Sequence, residues 1–402
     1  MNVDHPTLIL RKNSEHALRN GHPWIFSGAV AQKPQANPGD VVDVLDVQER
    51  FVCRGFYNPR AMIRVRVLTR DPNESIDEHF ITTRLAQAVV LRKRAGIHSQ
   101  TNAMRIVHGE SDGLPGLIVD DYAGFLVIQI HTLGMQTIKE TILDALEKQL
   151  NPKGIYERSD VGTRRAEGLT DRPTGVLRGE RPPEFVEIKE GDVRLFVDLY
   201  RGQKTGFFID QRPNRLQVQQ LADNADVLNL FAYSSAFSAH ALHGGARSVL
   251  DVDISQRAPY AARQNIQNNR PSHATHHYLV ADAFPFIEQL ATRGPRYDMV
   301  IVDPPSLVRK RDRNQVKRAM GVYTKLNRNA MRTVRDGGLL VTASCSNPVS
   351  QEDFFEIVRR AAASARVQTR LLSYNLHAAD HPVDPNFPDG RYLKCVIAQV
   401  WR

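Results

Sequence analysis

The feature that most narrows the fold of this chain is the alternation that begins near residue 224. Five short, almost uninterrupted apolar runs succeed one another, DVLNLF, RSVLDVDI, HYLV, YDMVIV and GLLVTAS, and a helical stretch follows each. A half-solvated strand alternates apolar with polar residues, whereas a continuous apolar run belongs to a strand covered on both faces. The intervening helices supply that cover, so the pattern predicts βαβ units, a mostly parallel sheet and a doubly wound α/β domain. The terminal run RYLKCVIAQVW alternates more openly and reads as an antiparallel edge strand.

The chain of 402 residues is longer than one core usually grows, and its first half has a different texture. Residues 1–72 carry β-type runs, DVVDVLDV at 40–47 and AMIRVRVLT at 61–69, separated by turn signals, and HPWIFSGAV supplies aromatic anchors. This is the pattern of a small, mostly β module. Residues 73–102 turn helical, with Phe80, Leu85, Val89 and Leu91 near one face. GESDGLPGLIVDDYAGFLVIQI at 109–130 reads as a hairpin, and a helix over roughly 134–149 follows it. RRAEGLTDRPTGVLRGERPPE at 164–184, rich in Gly, Pro and charge, reads as an exposed connector. The division expected is 1–72, 73–185 with its connector, and 186–402.

Composition removes several classes of function. Hydrophobic residues make up 42% and charged ones 24%, and no apolar run approaches the ~18 residues of a membrane span. The N-terminus lacks the basic, apolar and small-residue succession of a secretory signal, so a cytoplasmic protein without a membrane partner is expected. Cys53, Cys345 and Cys395 are widely spaced with no C-x-x-C, which argues against a disulfide framework or zinc site. His273, His276 and His277 lie in a polar connector without further ligands, so no metal is expected. The net charge of +9 suits a polyanionic partner, though a solvated basic surface gives the same number.

In a doubly wound sheet ligands bind beyond the carboxyl ends of the strands. After the first strand comes the small-residue turn Phe231-Ala232-Tyr233-Ser234-Ser235-Ala236-Phe237, opening a helix. Asp253, at the end of the second, lies 18 residues beyond Ser235, near the spacing at which an acid reaches a ribose hydroxyl. Asp282 follows the third strand, where it could accept from an adenine amine, and Asp303-Pro304-Pro305 follows the fourth. Each acid alone could be a helix cap; together they resemble a cofactor site. The G-x-G-x-x-G that a pyrophosphate needs is missing, which favours S-adenosylmethionine, a ligand without phosphate, over a dinucleotide.

After the fifth strand stands Cys345, one sheet position from Asp303. Carbon 5 of a pyrimidine becomes nucleophilic once a thiolate adds to carbon 6, so Cys345 reads as nucleophile and Asp303 as the base that removes the carbon 5 proton. The alternative is a small buried thiol, the reading given to Cys53 and Cys395. Arg309, Lys310 and Arg311 follow the Asp303 loop and could hold backbone phosphates, or be a solvated charge run. Ser350-Gln351-Glu352-Asp353 has the form of a helix-capping box.

A set of segments spread over nearly the whole chain resembles the bacterial ribosomal RNA large-subunit methyltransferase I family of 5-methylcytosine enzymes. They are HPWIFSGAV, RGFYNP, RVRVLT, RIVHGESDGLPGLIVD, YERSDVGTRRAEG, GQKTGFFIDQR, VDPP, SCS, AADHPV and GRYLK. The resemblance implies a small β-barrel PUA domain that binds RNA, a central strand-strand-helix-strand-strand α/β domain, and a Rossmann-like class I methyltransferase domain with a mostly parallel seven-stranded sheet. It implies S-adenosylmethionine as cofactor, held by Gln211, Phe231, Tyr233, Ser235, Asp253, Asp282 and Asp303. It further implies ribosomal RNA as partner, Cys345 as nucleophile and Asp303 beside the base, to which the loop residues themselves add Pro304 and Pro305 facing the base and Arg309, Lys310 and Arg311 at the substrate's phosphates. A homodimer stands beside the monomer as an open alternative.

Two departures matter. The family's turn is commonly Tyr-Thr-Gly-Gly-Phe, so Ser235 and Ala236 stand at its glycines and restrict φ and the approach of backbone to a ligand. Ser306 stands where the family often has Lys. Two rival readings follow: an N-methyltransferase acting on a guanine of ribosomal RNA, and an RNA-binding homologue with impaired cofactor binding.

Overall fold

Six strands open the chain in a sheet whose spatial order is Trp24–Phe26, Ile63–Thr69, Phe51–Tyr57, Val41–Leu45, Thr7–Leu10 and Val30–Gln32. The structure, a computed structural model, describes residues 5–402, so the first four residues of this module lie outside the described residues. Leu8, Leu10, Ile25, Val42, Val44 and Val65 fill the sheet's inner face, as the alternation in 40–47 and 61–69 demands. Two compact units are formed. The first comprises residues up to Val186 with Asp198–Phe207 and Ala379–Gly390, and the second comprises the remainder.

Within the first unit a second sheet runs Thr174–Gly179, Gly154–Arg158, Phe125–Ile130, Leu117–Tyr122 and Ala103–His108. Its central hairpin turns at Ala123 and Gly124, both at positive φ (55° and 94°), the geometry that matches strand twist. Packing is continuous across residue 72: Phe56 and Leu68 of the first sheet share one core with Phe80, Ile81 and Leu85 of the helix Glu78–Arg94. Two expectations change here. Leu91 is exposed, and Arg92 is buried instead, its guanidinium held by Asp112 at 2.6 Å and by the Arg105 carbonyl at 2.8 Å. The segment 164–184 is not simply a connector, because Thr174–Gly179 pairs antiparallel with Gly154–Arg158 as an edge strand. An edge strand has little to bury, so its sequence resembles a loop.

The second unit holds the seven-stranded sheet. Its strands are β1 (Asp226–Leu230), β2 (Ser248–Asp253), β3 (Thr275–Val280), β4 (Tyr297–Val302), β5 (Val334–Ser344), β6 (Gln368–Asn375) and β7 (Lys394–Trp401). The order is β3-β2-β1-β4-β5-β7-β6, parallel from β3 to β5, with β7 antiparallel to both neighbours. Strand order reverses between β1 and β4, which is where a doubly wound sheet opens a ligand crevice. Helix α1 (Arg212–Leu221) precedes β1, and α2 (Ala236–His243), α3 (Ala258–Asn269), α4 (Ala283–Arg293), α5 (Arg313–Thr333) and α6 (Gln351–Ala365) connect successive strands from β1 to β6. Leu228, Val300, Leu340, Ala330, Phe354 and Val396 lie in its main core cluster.

The expectation of an edge strand at the C-terminus is half right. β7 is antiparallel but interior, with Cys395, Val396, Ile397 and Ala398 fully buried. The edge belongs to β6, whose sequence QTRLLSYN carries too little apolar periodicity to announce a strand. No helix among the described residues is long and apolar enough to cross a membrane.

Candidate active site

The turn after β1 is the most contorted backbone in the unit. Phe231, Tyr233 and Ser235 all take left-handed φ, at 62°, 47° and 61°, although none is glycine. Such backbone costs about 1 kcal/mol or more per residue and persists only where the surroundings enforce it. Here they do. The amides of Phe231 and Ala232 both donate to the Val252 carbonyl of β2, at 2.8 and 3.2 Å. The Tyr233 amide donates to Asp253 Oδ2 at 2.9 Å, and Tyr278 Oη donates to the Tyr233 carbonyl at 3.0 Å. Side chains at the two glycine positions therefore do not prevent the bend. The Ser235 hydroxyl donates to Asp251 Oδ2 beneath the turn, and Asp251 also takes Ser238 Oγ at 2.5 Å and Asn229 Nδ2 at 3.0 Å. His276, one of the three histidines of the polar connector, belongs to β3 and lies 2.7 Å from Asp251 through Nε2.

The strand-end acids sit as the spacing placed them, in three environments. Asp253 is partly exposed and receives one backbone amide on each oxygen, from Tyr233 and from Ser255 at 2.8 Å. Asp282 is exposed and caps α4, accepting from the Phe284 amide at 2.9 Å. Asp303 is enclosed on most sides, and its carboxyl is pushed up to about 7 by burial and by the Asp210 carboxylate, against the Gln211 hydrogen bond and the Arg215 charge. Asp210 escaped the sequence reading, although it lies in the quoted FFIDQR run.

The Phe208–Arg212 loop that carries Asp210 and Gln211 is clamped from three sides. Arg215 donates to the Phe208 carbonyl at 2.9 Å, Tyr392 Oη donates to Asp210 Oδ2 at 2.6 Å, and the Ala378 amide donates to the Asp210 carbonyl at 2.9 Å. Arg215 is itself paired, fully buried, with Glu190, whose carboxyl it holds far below the usual range despite burial. His240 completes the group at 3.0 Å from Glu190, and burial keeps it towards the neutral form.

Cys345 follows β5, which runs parallel to β4 with Thr342 opposite Val302. This register sets Cys345 Sγ 4.0 Å from the Pro304 carbonyl, partly exposed. Its neighbours are locked. Ser346 Oγ accepts from the Leu307 amide at 3.0 Å and lies 2.9 Å from Tyr323 Oη, and Ser344 Oγ donates to the same phenol oxygen at 3.0 Å. Cys53 and Cys395 are 0% exposed, and burial pushes both thiols up, Cys53 to about 12. Pro304 is buried and Pro305 exposed. Arg309, Lys310 and Arg311 are exposed, and of the three only Arg311 lines a cleft of about 560 Å³, with Arg313, Lys317, Asn347 and Pro348. The Ser350–Asp353 capping box forms as read, starting α6 beside that cleft.

The residues at the β1, β2 and β3 ends fit S-adenosylmethionine. Acceptors at Asp253 and Asp282 suit ribose hydroxyls and an exocyclic amine, and the buried Ser234 hydroxyl makes no hydrogen bond among the described residues. A sulfonium also suits the neighbouring Asp210 and Asp303, whose mutual repulsion a cation relieves.

Sheet order and strand-end acids together define a class I methyltransferase fold. Residues 164–389 match the S-adenosylmethionine-dependent methyltransferase family, and residues 8–70 match a PUA-like domain. The chain is 38% identical over 394 residues to ribosomal RNA large subunit methyltransferase I of Escherichia coli, covering 98% of this chain and 99% of that one. It is 37% identical, with the same coverage, to its namesake in Shigella boydii. The chain therefore belongs to the ribosomal RNA large subunit methyltransferase I family of S-adenosylmethionine-dependent methyltransferases. Among solved structures, a chain from Streptococcus mutans described as a SAM-dependent methyltransferase shares the fold at TM-score 0.82 and 22% identity, covering 98% of this chain and 99% of that one. Another methyltransferase-type structure, solved with SAH, matches at TM-score 0.84, 22% identity and the same coverage.

Proposed function

We propose that this protein methylates carbon 5 of a cytosine in large-subunit ribosomal RNA through a covalent adduct at Cys345, in the cytoplasm. The RNA class follows from the names of the relatives. The position of Cys345 Sγ, 4.0 Å from the carbonyl of the Asp303-Pro304-Pro305 turn, carries the chemistry.

S-adenosylmethionine supplies an electrophilic methyl group, and the side chains do the rest. The Cys345 thiolate bonds to carbon 6, which places an electron pair on carbon 5. That pair forms the new bond to the methyl carbon as the sulfonium bond breaks. Asp303 takes the carbon 5 proton, and the electrons of that C–H bond restore the ring double bond as the bond from carbon 6 to sulfur breaks. A carboxyl near 7 is matched to this task, because it is deprotonated in a useful fraction at neutral pH and still basic enough to accept. Gln211, by donating to Asp303, orients the carboxylate. Phe231, Tyr233, Ser235, Asp253 and Asp282 hold the cofactor, Pro304 and Pro305 form a rigid floor under the base, and Arg309, Lys310 and Arg311 meet phosphates.

Mass spectrometry and bisulfite sequencing of ribosomal RNA from cells with and without the gene test this reading. A single 5-methylcytosine that disappears with the gene and is not restored by a Cys345→Ala copy supports it. A lost methylguanine, restored by that copy, replaces it with N-methylation.

A further inference from the structure

Lys394 opens β7 directly opposite Ser344 of β5 and is 0% exposed. Its ammonium donates to the Ser346 carbonyl at 2.8 Å and to the Tyr392 carbonyl at 2.9 Å. Among the described residues no carboxylate forms an ion pair with it. The residues on both sides of Cys345 are thus tied to this one lysine, Ser344 by strand register and Ser346 by a hydrogen bond. Burying an ammonium on two carbonyl dipoles is costly, and a methionine would fill the same space without that cost. Burial pulls Lys394 down to about 8, while the negative charge of Cys345 and of Asp353 acts in the opposite sense.

We propose that Lys394 is the positioning cation of the nucleophile, its buried charge stabilising the Cys345 thiolate and fixing the strand end from which Sγ projects. This rests on the reading of Cys345 as nucleophile. The charge of Cys345 acts on the Tyr323 phenol of α5, which Asp303 after β4 also influences, and on Lys394, which Asp353 of α6 also influences. Tyr323, pushed up to about 12 by burial, stays a neutral phenol, whereas a carboxylate in this neighbourhood disfavours a thiolate and a cation on β7 offsets it. Before addition the thiol proton leaves to solvent. At about 8 Lys394 is mostly protonated at neutral pH, and it faces the same thiolate again when the adduct breaks.

The test reads the thiolate itself. The full-length protein is alkylated with iodoacetamide across pH, and peptide-resolved mass spectrometry follows Cys345, with the buried Cys53 and Cys395 as slow internal controls. The pH midpoint for Cys345 is expected to rise by at least about one unit in Lys394→Met and Lys394→Gln and to return most of the way in Lys394→Arg. kcat is expected to fall at least about 10-fold in the first two, with KM for RNA changed by less than about twofold. Coincident midpoints in wild type and the neutral variants would overturn the proposal. If both neutral variants fail to fold, the wild-type midpoint is compared with that of the same cysteine in the urea-unfolded chain; a native midpoint at or above the unfolded one overturns it equally. Full activity of Cys345→Ala would remove the nucleophile reading, whereas the alkylation profile decides the Lys394–Cys345 coupling separately.

Discussion

Two ends of one sheet are built on opposite terms. After β1 the backbone is forced through three left-handed residues, and the side chains beneath serve to hold that shape. After β5 no residue of the turn takes a left-handed φ, and the unusual features are enclosed polar groups: Lys394, Tyr323 and Ser346, fully buried, and the largely enclosed Asp303. The difference follows from what each end is proposed to handle. A cofactor is recognised by the contour and donors of a bent chain, whereas a thiolate needs its charge controlled, which only enclosed polar groups achieve.

The largest effect that separates the two ends is expected from Cys345→Ala. Methyl transfer should fall by at least about 1,000-fold while S-adenosylmethionine binding by calorimetry changes less than about twofold. A matching loss of cofactor affinity would merge the two ends into one. Asp303→Asn comes next, with a loss of about 100-fold or more in kcat/KM. The wild-type profile should rise with pH and level off above about 7, and the Asn variant should lack that rise. The same group has a stability signature. Its folded value of about 7 exceeds the unfolded 3.8, so the native state binds the extra proton between them and loses stability as pH rises through that window. Asp303→Asn should therefore gain in Tm relative to wild type from acid to neutral pH.

A smaller effect probes the β1 end. Ser235→Ala keeps the strained φ of 61° and removes a hydrogen bond to buried Asp251, a loss of about 1–3 kcal/mol in stability. Ser235→Gly loses the same bond but relieves the backbone, so its Tm should fall less. Equal losses would mean that the turn carries no strain. The smallest effect is expected from Arg311→Ala, which should weaken RNA binding and reduce the slope of log affinity against log salt by about one. An unchanged slope would take Arg311 off the RNA path.

Much of the second unit was legible because continuous apolar runs separated by helices have few other solutions. The positions of Asp253, Asp303 and Cys345 at strand ends followed from that alone. Less legible were the elements with little to bury. The edge strands Thr174–Gly179 and β6 lack a core-facing stripe, so a reading that depends on apolar period passes over them. Arg92 and Lys394 were missed for the converse reason. A long cationic side chain inside an element reads as solvent-facing, and only the converging Asp112, Asp380 and Arg105 groups around one, or the Ser346 and Tyr392 carbonyls around the other, make burial tolerable.

The sequence by itself determined that a doubly wound sheet forms and that its carboxyl ends carry a small-residue turn, three acids and a cysteine, because these depend on periodicity and on position relative to a strand. Tertiary structure decided which strands become neighbours. Placing β7 between β5 and β6 brings Lys394, 49 residues beyond Cys345 in the chain, opposite Ser344. It also decided that Ser235 could occupy a left-handed position, since Asp251 lies where its hydroxyl can reach. Strand pairing and buried polar contacts are non-local, and their free energy depends on partners that no short window of sequence contains.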